Sequence, residues 1–153
     1  MRPRLLRSAD DTAALGAAVA GALGARPGAV IYLEGALGTG KTTLARGLLR
    51  ALGVQGAIRS PTYTLLEPYE IGGRTLVHLD LYRLADAREL EHLGLRDYPR
   101  ERCWWLIEWP ERGGARLPEP DLRLRLAHDP GGRQVELSGP AAALVPDGAH
   151  SVD

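Results

Sequence analysis

Residues 29–53 read AVIYLEGALGTGKTTLARGLLRALG, and the fold of the chain can be worked out from this stretch. It opens with the apolar, β-branched run 29–33, which predicts a buried strand. Residues 35–42, GALGTGKT, match G-x-x-x-x-G-K-[ST] at every fixed position. Leucines recur on one helical face over residues 43–52, and Gly53 ends the predicted helix. A strand, a glycine-rich turn and a helix in this order predict a phosphate-binding loop.

The chemistry of this loop explains its residue types. Its glycines let successive backbone N–H groups converge on a polyphosphate at a helix N-terminus, where the helix dipole also favours anions. Lys41 can contact the β- and γ-phosphates, and the Thr42 hydroxyl can bind a magnesium ion. Lys41 is the only lysine among 19 basic residues, all others being arginine. A compact ammonium fits between phosphate oxygens, where a planar guanidinium does not. A turn that merely begins a helix is the structural alternative, and the flanking strand and helix argue against it.

Composition limits the function classes. A chain of 153 residues is long enough for one domain with a sizeable core. Its formal net charge is zero, which is unlike a general nucleic-acid binder. Cys103 is the only cysteine and lies in an apolar run, so we expect it in the core and expect no internal disulfide. We find no apolar stretch of membrane-spanning length and no signal-peptide pattern, and therefore expect a cytoplasmic protein with no membrane contact.

The remaining patterns predict an α/β fold. Residues 8–24 are typical of an amphipathic helix, and Gly72-Gly73 is a two-residue turn between strands at 64–71 and 74–80. Residues 121–127 and 133–137 predict an antiparallel hairpin, which we expect at the edge of the sheet. We assign residues 1–139 to a single P-loop domain. The tail, residues 140–153, is rich in Ala, Gly and Pro and is predicted to be flexible.

Two acidic residues each end an apolar strand, Asp80 after residues 75–79 and Glu108 after residues 103–107. Ligands bind at the carboxyl ends of strands in open α/β sheets. Either carboxylate alone could be a solvated strand end, but beside a P-loop both become candidates for magnesium and water. Residues 60–64, SPTYT, are either a polar turn or a switch-like loop that senses the γ-phosphate. The four histidines lack metal-ligand spacing and are predicted to have ordinary roles.

Besides an ATPase, three other classes of P-loop protein are weighed against the sequence. A GTPase is excluded because no lysine follows Lys41, so the guanine-reading N-K-x-D segment is absent. A small-molecule kinase needs an acceptor pocket and an arginine-bearing lid, for which Arg74, Arg83 and Arg88 are candidates. A nucleotide-binding scaffold without catalysis is the third class.

Four segments together resemble the TsaE (YjeE) family, the ATPases of bacterial tRNA threonylcarbamoyladenosine biosynthesis. They are GALGTGKTTLARGLL, RSPTYTLLEPYE, HLDLYRLADARELEHLGLRDY and LIEWPERG, in this order, and the resemblance as a whole covers about residues 8–138. This chain has Ala36 where the family usually has Asp, and Leu79 where it usually has Phe. The resemblance implies a P-loop NTPase fold with a mixed central sheet flanked by helices, and ATP and Mg²⁺ as cofactors.

The resemblance also implies roles for individual residues. It assigns the phosphates to the loop and the first helical turn: Leu37, Gly38, Thr39, Gly40, Lys41, Thr42 and Thr43. Glu108 matches the Walker B acid, which with Thr42 would hold the metal, and Asp80 matches a further acid near it. Lys41, Asp80 and Glu108 are therefore the catalytic candidates. Three residues match positions beside the nucleotide, the last two near the adenine or ribose: Trp109, Thr12 and Arg133.

The resemblance further implies an ATPase that works with two partner subunits, TsaB and TsaD, to attach threonylcarbamoyl to adenosine in tRNA. This subunit would supply ATP turnover, and tRNA would be contacted mainly by the partners. P-loop NTPases without a positioned arginine are slow. We therefore expect slow turnover by the chain alone and acceleration by the partners.

Overall fold

In a computed structural model, which describes residues 3–147, the chain forms seven β-strands and two α-helices. In chain order they are β1 (Arg4–Leu6), α1 (Ala9–Leu23), β2 (Ala29–Glu34), α2 (Lys41–Leu52), β3 (Leu66–Ile71), β4 (Arg74–Asp80), β5 (Cys103–Glu108), β6 (Leu122–Asp129) and β7 (Gly132–Ser138). The strand, turn and helix predicted around the P-loop motif are β2, residues 35–40 and α2. The predicted turn at Gly72-Gly73 is confirmed, because Ile71 and Arg74 are register partners.

The strands form one mixed sheet in the order β1-β7-β6-β2-β5-β4-β3. The four inner strands β6, β2, β5 and β4 are parallel, and the outer strands pair antiparallel with their neighbours. Parallel strands are covered on both faces, which explains why β2 and β5 are continuous apolar runs. The predicted α/β class with a mixed sheet is confirmed.

The two α-helices pack together on one face of this sheet. There Leu15, Val19, Leu44 and Leu48 of the helices form the larger part of the core. They pack with apolar residues at alternate strand positions: Ile31, Leu33, Leu106, Leu124 and Leu126. The opposite face is covered by the chain between β4 and β5, where Leu81, Leu84 and Leu90 are buried. The short helix predicted after Asp86 is a 3₁₀ helix, Ala87–His92, with the expected capping box between Asp86 and Glu89.

Two glycines allow the backbones of α1 and α2 to touch. A Cβ on Gly16 would collide with the carbonyl of Leu44, and one on Gly47 would collide with the carbonyl of Ala13. Helix axes can approach this closely only where side chains are absent from the contact. The contact fixes the first turns of α1 next to the beginning of α2.

The structure corrects two expectations about the ends of the chain. The hairpin of β6 and β7 is not at the sheet edge, because β6 pairs with β2 and β7 pairs with β1, a three-residue strand that sequence patterns did not predict. The prediction that the chain is flexible from Pro140 onward is wrong for residues 140–147. Ala141, Ala142 and Val145 are buried in the core, and Arg4 donates hydrogen bonds to the carbonyls of Val145 and Pro146. Residues 148–153 lie outside the described part of the chain.

Candidate nucleotide-binding site

The predicted site residues meet at one edge of the sheet. The carboxyl ends of β2, β4 and β5 open into a cleft of about 590 Å³. All but one of the predicted residues line it: Thr12, Leu37, Gly38, Gly40, Lys41, Thr42, Thr43, Asp80, Glu108, Trp109 and Arg133. The exception is Thr39, which is buried and donates its hydroxyl hydrogen to the carbonyl of Ala36 over 2.8 Å. Thr39 therefore holds the shape of the loop from inside.

The loop between β2 and α2 leaves backbone donors free at the beginning of the helix. Gly38 and Gly40 have φ angles of 76° and 107°, a region that side chains rarely adopt. Gly40 caps α2 without a side-chain hydrogen bond, and the first turn of α2 contains no acidic residue. In α1, by contrast, Ser8 caps the helix and acidic residues occupy the first turn. The N-terminal N–H groups and dipole of α2 are thus uncompensated and face the cleft, which suits an anionic ligand.

Lys41 is almost fully buried and lies against this loop. Its ammonium donates hydrogen bonds to the carbonyls of Gly35, over 2.6 Å, and Ala36, over 2.8 Å. The nitrogen also lies 4.5 Å from the centroid of the Trp109 ring. Burial lowers the pKa of Lys41, and the nearby carboxylates of Glu108 and Asp80 oppose that shift. The cation is thereby held at the floor of the cleft, between the loop and the acidic residues.

The two predicted acids are direct neighbours. Asp80 and Glu108 are register partners at the ends of β4 and β5. The Thr42 hydroxyl donates to Oε1 of Glu108 over 3.4 Å, and Oδ1 of Asp80 accepts from the backbone N–H of Tyr82 over 3.1 Å. Burial raises the pKa of Asp80, and the hydrogen bond from Tyr82 opposes this. A hydroxyl and two carboxylates therefore converge beside the Lys41 ammonium.

These oxygen ligands suit magnesium bound together with a nucleotide. Within residues 3–147, no group of three or more His, Cys, Asp or Glu side chains is arranged to hold a metal ion unaided. Magnesium usually keeps several waters and takes one or two carboxylates plus substrate phosphates. The hydroxyl of Thr42 and the carboxylate of Glu108 fit that donor set, with Asp80 beside them.

Aromatic side chains form one wall of the cleft. Trp109 directly follows β5 and has φ 58° and ψ 50°, a left-handed conformation that is unfavourable for a bulky residue. Its ring centroid lies 4.9 Å from that of Tyr82. This strained backbone turns the indole back over Lys41.

The strand order separates the cleft into two ends. The acids are the last residues of β4 and β5 on one side of β2, whereas Thr12 and Arg133 come from the β1–β7 side. Sequence reasoning did not identify the other lining residues on that side, which include Arg7, Ser8 and Gly132. Their position at the end of β1 and the beginning of β7 gave no local signal, because it depends on an unpredicted strand.

The hydroxyl-rich loop at residues 60–64 borders the acidic end. Ser60 and Thr62 line the cleft, and Tyr63 is 82% exposed with the guanidinium of Arg83 4.8 Å from its ring centroid. Arg83 also lines the cleft.

The other two candidate lid arginines lie elsewhere: Arg74 donates to the carbonyl of Gly24, and Arg88 pairs with Asp86.

One histidine has more than the ordinary role predicted for it. His78 is buried on β4, and its Nε2 lies 2.8 Å from Oε2 of Glu108. The local sequence indicates only that His78, two residues before Asp80, lies on the same face of β4 as that acid, and it gives no sign of the contact with Glu108 on β5. Residues two apart in a strand face the same side of the sheet.

Comparison with known proteins identifies the family. A family model described as threonylcarbamoyl adenosine biosynthesis protein TsaE matches residues 6–135. The chain belongs to the TsaE family. TsaE relatives described as tRNA threonylcarbamoyladenosine biosynthesis proteins occur in Haemophilus influenzae and Treponema pallidum. The first is 50% identical over 108 residues, covering 71% of this chain and 68% of the relative. The second is 40% identical over 134 residues, covering 86% and 96%.

A solved structure agrees with this membership. The crystal structure of Bacillus subtilis YdiB matches with a TM-score of 0.70 and 27% sequence identity, covering 90% of this chain and 83% of that one. The resemblance to TsaE and the P-loop α/β fold expected from the sequence are therefore confirmed. Over the described part of the TsaE chain, none of the helices combines the length and apolar character needed to cross a membrane.

Proposed function

We propose that this chain is the ATP-binding and ATP-hydrolysing subunit required for the threonylcarbamoyl modification of adenosine in tRNA, and that it acts in the cytoplasm with TsaB and TsaD. The names of its relatives support the pathway. The proposed ATPase activity rests on one observation. Lys41 and Thr42, at an uncapped helix N-terminus, share a cleft with Glu108 and Asp80.

In this proposal the triphosphate is held by the loop and the first turn of α2. Backbone N–H groups of residues 37–43 donate to phosphate oxygens, helped by the dipole of α2. Lys41 already points into the cleft, and its hydrogen bonds to two loop carbonyls keep the ammonium in place before ligand arrives. Binding then requires little rearrangement of the charge.

Magnesium would be held by Thr42 and Glu108, with Asp80 nearby, and when bound it would neutralise charge on the β- and γ-phosphates. The carboxylate of Glu108 is fixed beside the Thr42 hydroxyl. The two acids sit at the end of the cleft that the loop 60–64 borders, so we place the γ-phosphate there. The adenine and ribose would then extend past the loop toward Thr12 and Arg133, beside the beginning of α1.

The arrangement also supports slow turnover by the chain alone. On the acidic side, Arg83 is the lining arginine, and it rests on the exposed ring of Tyr63. An arginine placed on the transition state accelerates such reactions by about 10³–10⁵, which corresponds to roughly 4–7 kcal/mol. We propose that the partners supply this stabilisation, either with a side chain of their own or by ordering residues 60–64 over the γ-phosphate.

Parallel assays of free phosphate and ADP test this function. The chain is incubated with ATP and Mg²⁺ alone, with TsaB and TsaD, and with small-molecule acceptors. We expect slow release of equal amounts of phosphate and ADP, accelerated only by the two proteins. ADP without free phosphate in the presence of an acceptor would identify a kinase instead, and fast turnover by the isolated chain would contradict the dependence on partners.

Two threonine variants and one surface variant complete the assay. Thr42→Ala should weaken magnesium-dependent ATP binding, while Thr42→Ser, which keeps the hydroxyl, should not. Arg46→Ala changes an exposed side chain on the same helix and should behave like the parent. Formation of threonylcarbamoyladenosine in tRNA, reconstituted with TsaB and TsaD, should fail without this chain.

A further inference from the structure

The strongest unused observation is the buried pair formed by His78 and Glu108. Nε2 of His78 lies 2.8 Å from Oε2 of Glu108, and the two side chains are only 2% and 3% exposed. Within the described residues, the other ring nitrogen of His78, Nδ1, is buried and has no hydrogen-bond partner. Such a buried unpaired nitrogen is rare in native structures and requires an explanation.

The partners of the two ring nitrogens indicate where the hydrogen lies. An ionised carboxylate can only accept hydrogen bonds, so Nε2 must be the donor. A hydrogen on Nδ1 would be buried without an acceptor, which is costly. The form of His78 with a hydrogen on Nε2 and a lone pair on Nδ1 is therefore favoured, because it leaves an acceptor and not a donor without a partner.

The hydrogen bond from Nε2 of His78 restricts the orientation of the Glu108 carboxylate in the cleft. Oε2 is directed toward His78, and Oε1 accepts from the Thr42 hydroxyl over 3.4 Å. Intermediate rotations of the carboxylate would break the hydrogen bond with His78, and a half-turn only exchanges two equivalent oxygens, so one oxygen faces His78 and the other faces Thr42. Oε1 is thus the oxygen presented to Thr42.

We propose that His78 is a positioning residue: by donating to Oε2 of Glu108 it fixes Oε1 as the single carboxylate oxygen available to Mg²⁺ bound with the nucleotide. The inference rests on the proposed function, since it assigns the metal to Thr42 and Glu108. Hydrogen-bond partners of metal ligands commonly orient those ligands, and their loss costs about 10- to 100-fold in metal affinity.

Three variants separate hydrogen-bond donation from packing. His78→Leu keeps the approximate volume and removes the donor. His78→Gln keeps an N–H donor close to the position of Nε2. Leu76→Val is the matched control, because Leu76 is buried on the same face of β4, two residues away, and does not contact Glu108 by hydrogen bonding.

Calorimetric ATP titrations with Mg²⁺ and with EDTA provide the first readout. We expect the gain in ATP affinity from Mg²⁺ to fall about 10- to 100-fold in His78→Leu and to stay near the parent value in His78→Gln and Leu76→Val. An unchanged magnesium response in His78→Leu overturns the inference, and so does a loss in His78→Gln as large as in His78→Leu. If the parent binds no ATP with Mg²⁺, the proposed function fails as well.

Nitrogen NMR of the histidine rings is independent of ATP and of activity. The parent without ligand should show His78 with its hydrogen on Nε2, and the Nε2 resonance should shift in Glu108→Leu. A hydrogen on Nδ1, or an Nε2 resonance unaffected by Glu108→Leu, overturns the inference while leaving the ATPase proposal intact.

Discussion

The ammonium nitrogen of Lys41 lies 4.5 Å from the centroid of the Trp109 ring, close enough for a cation–π interaction. The two residues are 68 positions apart, and the left-handed backbone of Trp109 brings them together. The indole covers a cation that is otherwise held by two loop carbonyls. The space around Lys41 is therefore defined on several sides before any ligand binds.

This confinement predicts that a positive charge at position 41 is not sufficient for ATP binding and that the shape of the lysine side chain is also required. Lys41→Ala should weaken ATP binding by about 1.5–3 kcal/mol, or roughly 10- to 150-fold in Kd, because charge-assisted hydrogen bonds to phosphate are lost. Lys41→Arg should also bind weakly, since the planar guanidinium is too large for the space between the loop and Trp109. Isothermal titration calorimetry measures both. Parent-like affinity in Lys41→Arg would contradict the geometric argument.

Glu108→Gln separates binding from turnover. The amide keeps the shape of the side chain and its oxygen can still accept from His78, so ATP affinity measured without Mg²⁺ should change little. Loss of the negative charge should slow partner-stimulated hydrolysis at least about 100-fold. Stopped-flow phosphate release checks the rate, and calorimetry with the same sample checks binding. Unchanged turnover would reduce Glu108 to a structural strand end.

The buried carboxylate of Asp80 should lower the free energy of unfolding when no ligand is bound. Burial raises the pKa of this carboxyl, so the folded state binds its proton more tightly than the unfolded state does. Stability then falls as the pH rises through the interval between the ordinary and the raised pKa. Asp80→Asn should therefore unfold at higher denaturant concentration than the parent at pH 7, and this advantage should disappear below about pH 4, where the unfolded carboxyl is also protonated.

Addition of ATP and Mg²⁺ gives the control for Asp80. The parent should gain more stability from the ligand than Asp80→Asn, and the variant should also turn over ATP more slowly. An Asp80→Asn protein that is less stable than the parent at pH 7 would show that the hydrogen bond from Tyr82 outweighs the burial of the charge.

The contact of the two helices gives a prediction with a matched control. Gly47→Ala places a methyl group against the carbonyl of Ala13 and should lower the free energy of unfolding by about 1–3 kcal/mol. Gly21→Ala, in α1 where an added Cβ would have no atom within 4 Å beyond the adjoining helix backbone, should raise it by about 0.5–1 kcal/mol through helix propensity. Urea denaturation measures both. Equal effects would mean that α1 and α2 can move apart at little cost.

Local patterns were sufficient for much of the fold. The P-loop motif, the turn at Gly72-Gly73 and the capping box at Asp86 were predicted because each depends on residues a few positions apart. The edge strand β1 and the packing of residues 140–147 were not. Three residues of strand have no detectable period, and an Ala-rich tail gives no sign of the core surface that it will cover.

The sequence by itself determined the phosphate-binding loop, since its glycines, Lys41 and Thr42 act within one turn of chain and need no distant partner. Tertiary structure alone decided what surrounds the loop. Strand order places the acids on one side of β2 and Thr12 with Arg133 on the other, and it brings His78 against Glu108, 30 residues later in the chain. Such pairings follow from the register of β4 with β5 in a buried parallel sheet, which is determined by packing over the whole core rather than by any local pattern.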